Sequence, residues 1–350
     1  MKIKEPLSIY DQLQRLTERG LIVENAQDET ELITWLNNVG YYRLSGYWWV
    51  YENKYPEQSP RDHVFKPGTT WKHIKHTYVF DQKFRRHMFT AIEKIEVAIK
   101  ALWAQHLAIK YNTSHPHEHQ NLFNNEIYSN QKYKKCTYNI LVSNYESSKE
   151  PFAVHYRNKY PEYKTPPIWV ITLLLTLGDF TNWLKCLKNR SDKKAILAPF
   201  PFSPQEMISI LTHLRWVRNV CAHNGRLWNK RTPFVFEFPK GHEKRLIHSR
   251  TNKQKLDSKI YNTILVMSDI LRVIDPTYPF THFIKDMITK NHYIDPVQMG
   301  FPQNWTELEE WKFPTPEHKY NKKKQRNNVL KPAINTTVSF LFIDRLHRHD

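Results

Sequence analysis

Apolar residues recur every three or four positions along most of the chain, a spacing that is typical of helices with one buried face. The first such stripe starts at Ile9 and ends at Gly20, and a second starts at Leu32 and ends at Gly40. Glycine just after the last apolar position is a common helix stop. The pattern therefore predicts an all-α protein that begins with two short helices.

The longest stripe predicts a single amphipathic helix over residues 71–111. This segment contains neither glycine nor proline, so no residue in it would break a helix. Its apolar positions at helical spacing are Phe80, Phe84, Met88, Ile92, Ile95, Ile99 and Leu102.

Four further helices are predicted in the second half of the chain. Residues 168–177 and 180–187 form two apolar segments, with Asp179 as the N-cap of the second. Later segments over 256–274 and 281–290 also have helical spacing.

Another helix has a clear start and a clear end. Ser203 is followed by Pro204 and, three residues on, by Glu206, which is the pattern of a capping box with proline at the first helical position. Gly225 is a natural stop for this helix.

These patterns divide the chain into three parts. We expect N-terminal accessory helices in residues 1–60, and a helical domain in 61–315 with a polar insertion at about 112–167. Residues 316–350 form a basic tail that we predict to be poorly ordered. Its cationic cluster is either a solvated surface or an electrostatic anchor for RNA. The cluster consists of Lys322, Lys323, Lys324 and Arg326.

Composition removes some enzyme classes and favours one kind of partner. The chain has only 8 glycines, and no two are spaced to build a dinucleotide-binding turn or a phosphate-binding loop. Lys and Arg number 52 against 34 Asp and Glu, so the net charge of +18 favours a polyanion such as RNA. The 3 cysteines are widely spaced, which favours a reducing compartment. With no signal peptide and no apolar run of about 20 residues, we expect a cytoplasmic protein without a membrane partner.

The helix that begins at Ser203 ends in the pattern R-N-x-x-x-H, formed by Arg218, Asn219 and His223. This trio suits metal-independent cleavage of RNA, because RNA supplies its own nucleophile, the 2′-hydroxyl. Histidine moves protons near neutral pH, and arginine stabilises extra negative charge on a phosphate. Asn219, one turn before His223, could orient it. No metal or cofactor is expected.

The spacing of Arg218 and His223 favours a site shared by two chains. Five residues along a helix correspond to about 140° of rotation and about 7.5 Å of rise, so the two side chains do not lie side by side. Two copies of the motif that face each other across a dimer would supply two arginines and two histidines to one phosphate. The alternative is that both residues merely decorate a helix end, where a histidine is favoured by the helix dipole.

The longer pattern R-N-x-C-A-H-N-x-R-L-W-N, residues 218–229, resembles the HEPN nuclease motif. It has the form carried by the Abi (abortive infection) family of bacterial phage-resistance proteins, the AbiD/AbiF group. Other blocks resemble the same family in the same order, over about residues 8–311. They are GYYRLSGYW at 40–48, FKPGTT at 65–70, YVFDQKFR at 78–85, AIEKIEVAIK at 91–100, PIWV at 167–170 and MGFPQNW at 299–305.

The resemblance implies a HEPN-like helical bundle and an endoribonuclease that acts as a homodimer through Arg218 and His223. It also implies a role in anti-phage defence, as a toxin restrained by an antitoxin protein or a structured non-coding RNA. Asn224 departs from the family, where a second histidine is common at this position. The rival hypothesis is a non-catalytic RNA-binding or regulatory helical protein, in which the motif helix only packs and contacts phosphate.

Several other residues are candidates for supporting the site. Glu93 and Glu96 lie on one face of the long helix, either in a structural salt bridge, for which Arg43 and Arg218 are candidate partners, or in a catalytic or site-orienting role. Asn224 and Arg226 belong to the motif and are further supporting candidates.

Two clusters have structural as well as functional interpretations. Residues 115–119 contain three alternate histidines, which we interpret as a surface loop rather than a metal site. The aromatic cluster in residues 41–49 is interpreted as a packed junction, with base stacking as the alternative. Cys221 is interpreted as a core residue rather than a nucleophile.

Overall fold

The computed structural model describes residues 5–53, 62–129, 137–242 and 244–312. Within these ranges the protein is built from α-helices, short 3-10 turns and a few isolated bridges, without β-strands. The all-α prediction is therefore confirmed. The helices are α1 (Ile9–Glu18), α2 (Ala26–Asn38), α3 (Tyr41–Trp48), α4 (Trp71–Lys110), α5 (Thr137–Ser147), α6 (Pro151–Lys159), α7 (Ile168–Leu174), α8 (Leu177–Cys186), α9 (Arg190–Leu197), α10 (Pro204–Ala222), α11 (Tyr261–Ile274) and α12 (Phe280–Thr289).

Helix α4 is the central element, as its uninterrupted apolar stripe predicts. It has 40 residues and is therefore about 60 Å long. Helices α3, α7, α9, α10, α11 and α12 all pack against it. Its buried stripe includes Phe84, Met88 and Ile92, none of which has any exposed surface.

The N-terminal helices pack through the aromatic cluster. Tyr47 and Trp48 are buried, and the ring of Tyr41 meets that of Trp48 edge-on at 4.9 Å. The packed-junction interpretation is confirmed for these rings, whereas Tyr42 and Trp49 are exposed.

The predicted break at Asp179 is wrong, since α8 begins earlier. Thr176 is the N-cap and accepts a hydrogen bond from the backbone N–H of Asp179, which lies inside the first turn. Gly178 is also helical. A Cβ at this position would lie 2.7 Å from Nε of Arg215, so glycine here allows close packing against α10 rather than ending a helix.

The predicted start of α11 at residue 256 is also wrong, since the helix begins at Tyr261. The side chain of Asp257 accepts the backbone N–H of Lys259 at 2.7 Å, which forms a turn that competes with helix. The backbone N–H of Asp257 is engaged by Ile247 at 2.8 Å. The predicted helices at the start of the chain and over 281–290 are confirmed as α1, α2 and α12.

The polar insertion leaves and rejoins the bundle at one place. Helices α5 and α6 lie within it, and the backbone N–H of Ile168, just after it, donates to the carbonyl of Ser114 at 2.8 Å. The chain separates into two units, residues 1–305 and 306–350. In the second unit the described residues include a 3-10 turn, Glu309–Trp311. The predicted boundaries at 60 and 315 stay predictions.

No helix in the described ranges is both long enough and apolar enough to cross a membrane.

Candidate functional site

The helix that carries the motif, α10, is fixed at its start by the predicted capping box. The hydroxyl of Ser203 accepts the backbone N–H of Glu206 at 3.3 Å, and the Glu206 carboxylate accepts the backbone N–H of Ser203 at 2.7 Å. The buried face of α10 then packs on α4 and α8. It consists of Met207, Ile210, Leu211, His213, Leu214, Val217 and Cys221. Burial raises the pKa of the Cys221 thiol to about 12, as suits a core residue.

The C-terminal end of α10 is a Schellman motif that contains the end of R-N-x-x-x-H. His223 is the C-cap residue, and Asn224 follows it in the left-handed region with φ of 55°. The backbone N–H of Gly225 donates to Val220 at 2.8 Å, and that of Asn224 donates to Cys221 at 3.3 Å. The helix end is therefore well defined, and His223 is exposed beside its last carbonyls.

A buried carboxylate on α4 holds the segment that follows the motif. Asp81 accepts the backbone N–H groups of Leu227 and Trp228 at 3.0 and 2.6 Å. Its other oxygen accepts the hydroxyl of Tyr47 at 2.7 Å and Nε of Arg85 at 3.1 Å. Burial raises the pKa of the Asp81 carboxyl, and these hydrogen bonds together with the charge of Arg85 oppose that rise. We call Asp81, Tyr47, Arg85 and their two backbone donors the Asp81 cluster.

Two arginines from distant parts of the chain hold Asn224. Arg43 on α3 donates to its backbone carbonyl at 2.8 Å, and Arg85 donates to its side-chain oxygen at 3.3 Å. Arg43 therefore supports the motif through Asn224, not through a salt bridge with Glu93 or Glu96 as one interpretation of the sequence had it.

The side chain of Arg226 packs against the turn that follows α10. Its guanidinium donates to the carbonyls of Trp228 and Asn229 at 2.9 and 3.3 Å and lies 5.9 Å from the ring centre of Trp49. Burial lowers its pKa. These contacts use the side chain to shape the turn after α10.

Arg218 lies in a cleft of about 370 Å³ between α4, α7 and α10, where Glu93, Glu96 and Lys100 also lie. Its guanidinium is 5.6 Å from the ring centre of Phe89. Glu96 pairs with Lys100 at 2.6 Å, so its partner is neither Arg218 nor Arg43. Lys100 also donates to the backbone carbonyl of Leu175 at 2.5 Å.

The polar groups of the motif side chains are not hydrogen-bonded within the described part of the protein. Among the residues that the structure describes, the side chains of Arg218, Asn219 and His223 form no hydrogen bond or ion pair with one another or with other groups. The predicted orientation of His223 by Asn219 is therefore not formed in this structure. Arg218 and His223 are left with donors and acceptors for a ligand.

Residues 34–229 match the sequence model of the family described as Abi-like protein, which is more than half of the chain. The chain belongs to the Abi-like protein family. The match to this family begins in α2 and ends at Asn229, the last residue of the longer motif. Comparison with curated proteins and with solved structures found no match.

Membership of the Abi-like family indicates a role in abortive infection. The matched span runs from α2 to Asn229 and therefore contains every residue of the Asp81 cluster, from Tyr47 on α3 to Trp228 after α10. The block at 299–305 lies outside that span.

The Asp81 cluster was not given a role from the sequence, although a signal for it was present. Asp81 and Arg85 are charged residues one turn apart within the apolar stripe of α4, between Phe80 and Met88. A charged pair at such positions must find partners when it is buried.

The cationic cluster Lys322, Lys323, Lys324 and Arg326 lies outside the described residues. In the described ranges, no group of three His, Cys, Asp or Glu side chains is arranged to hold a metal ion.

The surface-loop interpretation of residues 115–119 is wrong for one of the three histidines. His117 is fully buried, and its Nε2 lies 2.8 Å from the hydroxyl of Thr165. Burial lowers its pKa to about 3, so the ring is neutral at physiological pH.

Proposed function

We propose that this protein is a metal-independent endoribonuclease of an abortive-infection system, with Arg218 and His223 as its catalytic residues. The observation that carries the proposal is the end of α10. It presents both side chains without hydrogen-bond or ion-pair partners among the described residues, while the Asp81 cluster and Arg43 fix the backbone that follows.

The chemistry follows from the two side chains and from RNA itself. His223 takes the proton of a 2′-hydroxyl as the 2′-oxygen bonds to the adjacent phosphorus. The bond from phosphorus to the 5′-oxygen of the next nucleotide breaks, and that oxygen takes a proton from the partner subunit's His223. Arg218 stabilises the extra negative charge on the phosphorane. The products carry a 2′,3′-cyclic phosphate and a 5′-hydroxyl.

A dimer supplies the second histidine, and the surface beside Arg218 supports such a dimer. Val97 and Leu173 line the same cleft as Arg218 and are 61% and 65% exposed. Exposed apolar side chains next to a candidate site are typical of a surface that a partner covers. In this proposal the enzyme is a toxin restrained by an antitoxin protein or a structured non-coding RNA.

The rival function is RNA binding without cleavage, in which the motif helix only packs and contacts phosphate, and the packing of Arg218 on Phe89 fits it. Pure wild-type protein and His223→Ala are incubated with a mixed RNA pool in EDTA, with His292→Ala as an exposed-histidine control. We expect cleavage by wild type and the control alone, leaving cyclic phosphate ends. RNA binding without cleavage by any of the three proteins would favour the rival.

A further inference from the structure

The polar insertion and the start of α7 enclose a pocket of about 310 Å³ whose walls are mostly aromatic. We call it the aromatic pocket. Two polar residues, Ser114 and Thr165, also line it. Its rings belong to His115, Tyr145, Tyr156, Tyr160, Tyr163 and Trp169.

Part of the pocket is rigid. His115 stacks on Tyr163 with ring centres 4.8 Å apart and planes 7° from parallel. Both nitrogens of the His115 ring are engaged, Nδ1 with the hydroxyl of Ser114 at 2.8 Å and Nε2 with the carbonyl of Thr165 at 3.0 Å. Because a carbonyl only accepts, Nε2 carries a proton and donates. The His115 ring, on which Tyr163 stacks, is therefore held in place by the protein itself.

Other rings of the pocket remain open to solvent. Tyr160, Tyr163 and Trp169 are 38%, 51% and 48% exposed. The hydroxyls of Tyr160 and Tyr163 form no hydrogen bond with the rest of the described chain. The pocket thus offers open ring faces for stacking and hydroxyl groups for the polar edge of a planar ligand.

The cations that lie against the rings of the pocket favour an anionic ligand over a cationic one. The guanidinium of Arg157 lies 5.4 Å from the ring centre of Tyr145, and the ammonium of Lys159 lies 5.5 Å from that of Tyr160. No carboxylate is among the described residues that line the pocket, and that of Glu118, close behind it, already accepts from the hydroxyls of Thr165 and Tyr138. A second cation would be repelled, whereas the phosphates on either side of a bound base would be attracted.

We propose that the aromatic pocket binds an unpaired nucleobase of a single-stranded RNA, next to the site of cleavage. Trp169 lines this pocket, and Leu173, one turn later on α7, lines the cleft of Arg218. Four residues of helix rise by about 6 Å, so one strand reaches both places. The identity of the polymer rests on the proposed function, whereas the stacking site rests on the rings and charges of the insertion.

The test measures binding separately from cleavage. All proteins carry His223→Ala and are kept in EDTA, and affinity for a labelled single-stranded RNA is measured by fluorescence anisotropy. We expect Tyr163→Ala and Trp169→Ala each to weaken binding about tenfold, the size of one base-ring stack. Tyr163→Phe, which keeps the ring, should bind within about twofold of the parent. Tyr10→Ala, at an exposed tyrosine of α1, is the matched control.

A second oligonucleotide, in which the bases are replaced by abasic sites, shows whether a base is the group bound. Removing the bases should weaken binding to the parent and have a smaller effect on Tyr163→Ala. Equal effects in the two proteins would overturn the proposal, as would unchanged affinity of both alanine variants. Wild-type protein that cleaves RNA with a KM unaltered by Tyr163→Ala would overturn the pocket but leave the nuclease. Base-dependent binding without cleavage by wild type would support the pocket and overturn the proposed nuclease.

Discussion

Asp81 and Trp228 are joined by a hydrogen bond of 2.6 Å from the backbone N–H of Trp228 to the buried carboxylate of Asp81. The two residues are 147 positions apart in the chain. This contact holds the segment that follows the motif against the central helix α4. The position of His223 therefore depends on a residue that takes no part in the proposed chemistry.

Replacing Asp81 by Asn should destabilise the protein by about 3 kcal/mol, the cost of breaking a buried, hydrogen-bonded ion pair. The amide group cannot accept from all the donors of the cluster, and Arg85 loses its counter-charge. Urea unfolding measures the loss as a lower midpoint with an unchanged slope. Asp286→Asn, which removes a surface pair with Lys290, is the control and should cost about 0.5 kcal/mol or less. Equal costs for the two variants would contradict this role of Asp81.

Replacing Arg218 by Ala should reduce RNA cleavage about 10²- to 10³-fold, the usual effect of removing one donor to a transition-state charge. Arg218→Lys should recover only part of that loss, because lysine lacks the planar fork of donors. Rates are measured under single-turnover conditions, with Arg15→Ala on the exposed side of α1 as the control. Full activity in Arg218→Ala would exclude this arginine from catalysis.

Replacing Leu173 by Glu should dissociate the proposed dimer and abolish cleavage together. Leu173 is 65% exposed in the single chain, so folding should be little affected. Sedimentation at several concentrations measures the mass, and circular dichroism checks the fold. Ile109→Glu, at a similarly exposed position near the end of α4, should remain dimeric. A monomeric wild-type protein that cleaves RNA would show that one chain is sufficient.

Stability should fall in mild acid because of His213 on α10. Burial lowers its pKa to about 4, and its ring nitrogens lie 3.2 Å from the carbonyl of Phe234 and 2.8 Å from the hydroxyl of Thr263. The unfolded chain binds a proton near pH 6.5 while the folded chain does not, so stability is full above that pH and decreases below it.

Between pH 7 and pH 5 this histidine should cost about 2 kcal/mol of unfolding free energy. His213→Gln should have a smaller pH dependence by that amount, as measured by urea unfolding at the two pH values. His117, whose pKa is lowered to about 3, contributes a similar pH dependence to the unfolding free energy of both proteins. The same pH dependence in wild type and His213→Gln would show that His213 is not the group responsible.

Asn224 has a backbone role that can be separated from its side chain. Since its φ is 55°, Asn224→Ala should cost about 1 kcal/mol more than Asn224→Gly, because only alanine is strained in the left-handed region. Both variants lose the contact with Arg85 equally. Thermal unfolding of the pair measures the difference, and equal stabilities would argue against the Schellman motif.

The features that were predictable from the sequence are those that depend on near neighbours. The capping box of Ser203 and the uninterrupted stripe of α4 involve residues within a few turns, and the structure has both. The misplaced start of α8 shows the limit, because Gly178 resembles a helix break until Arg215 is seen packed against it.

Contacts between distant residues were not predictable from spacing. Arg43 and Asn224 are 181 positions apart, and the sequence offered two acidic residues as more obvious partners for that arginine. His117 likewise lies among polar residues in the sequence. In the structure it is buried, and its ring contacts Thr165, which is 48 positions away. Such pairings are set by how the helices pack, which a single sequence does not specify.

The hydrogen bond between Ser114 and Ile168 joins the two ends of the insertion, so the segment begins and ends at one point of the bundle. The chain between these two residues also packs back on α8, where the ring of Phe123 meets that of Trp183 edge-on at 4.9 Å. A change in the length of the insertion must therefore keep both attachments to the bundle.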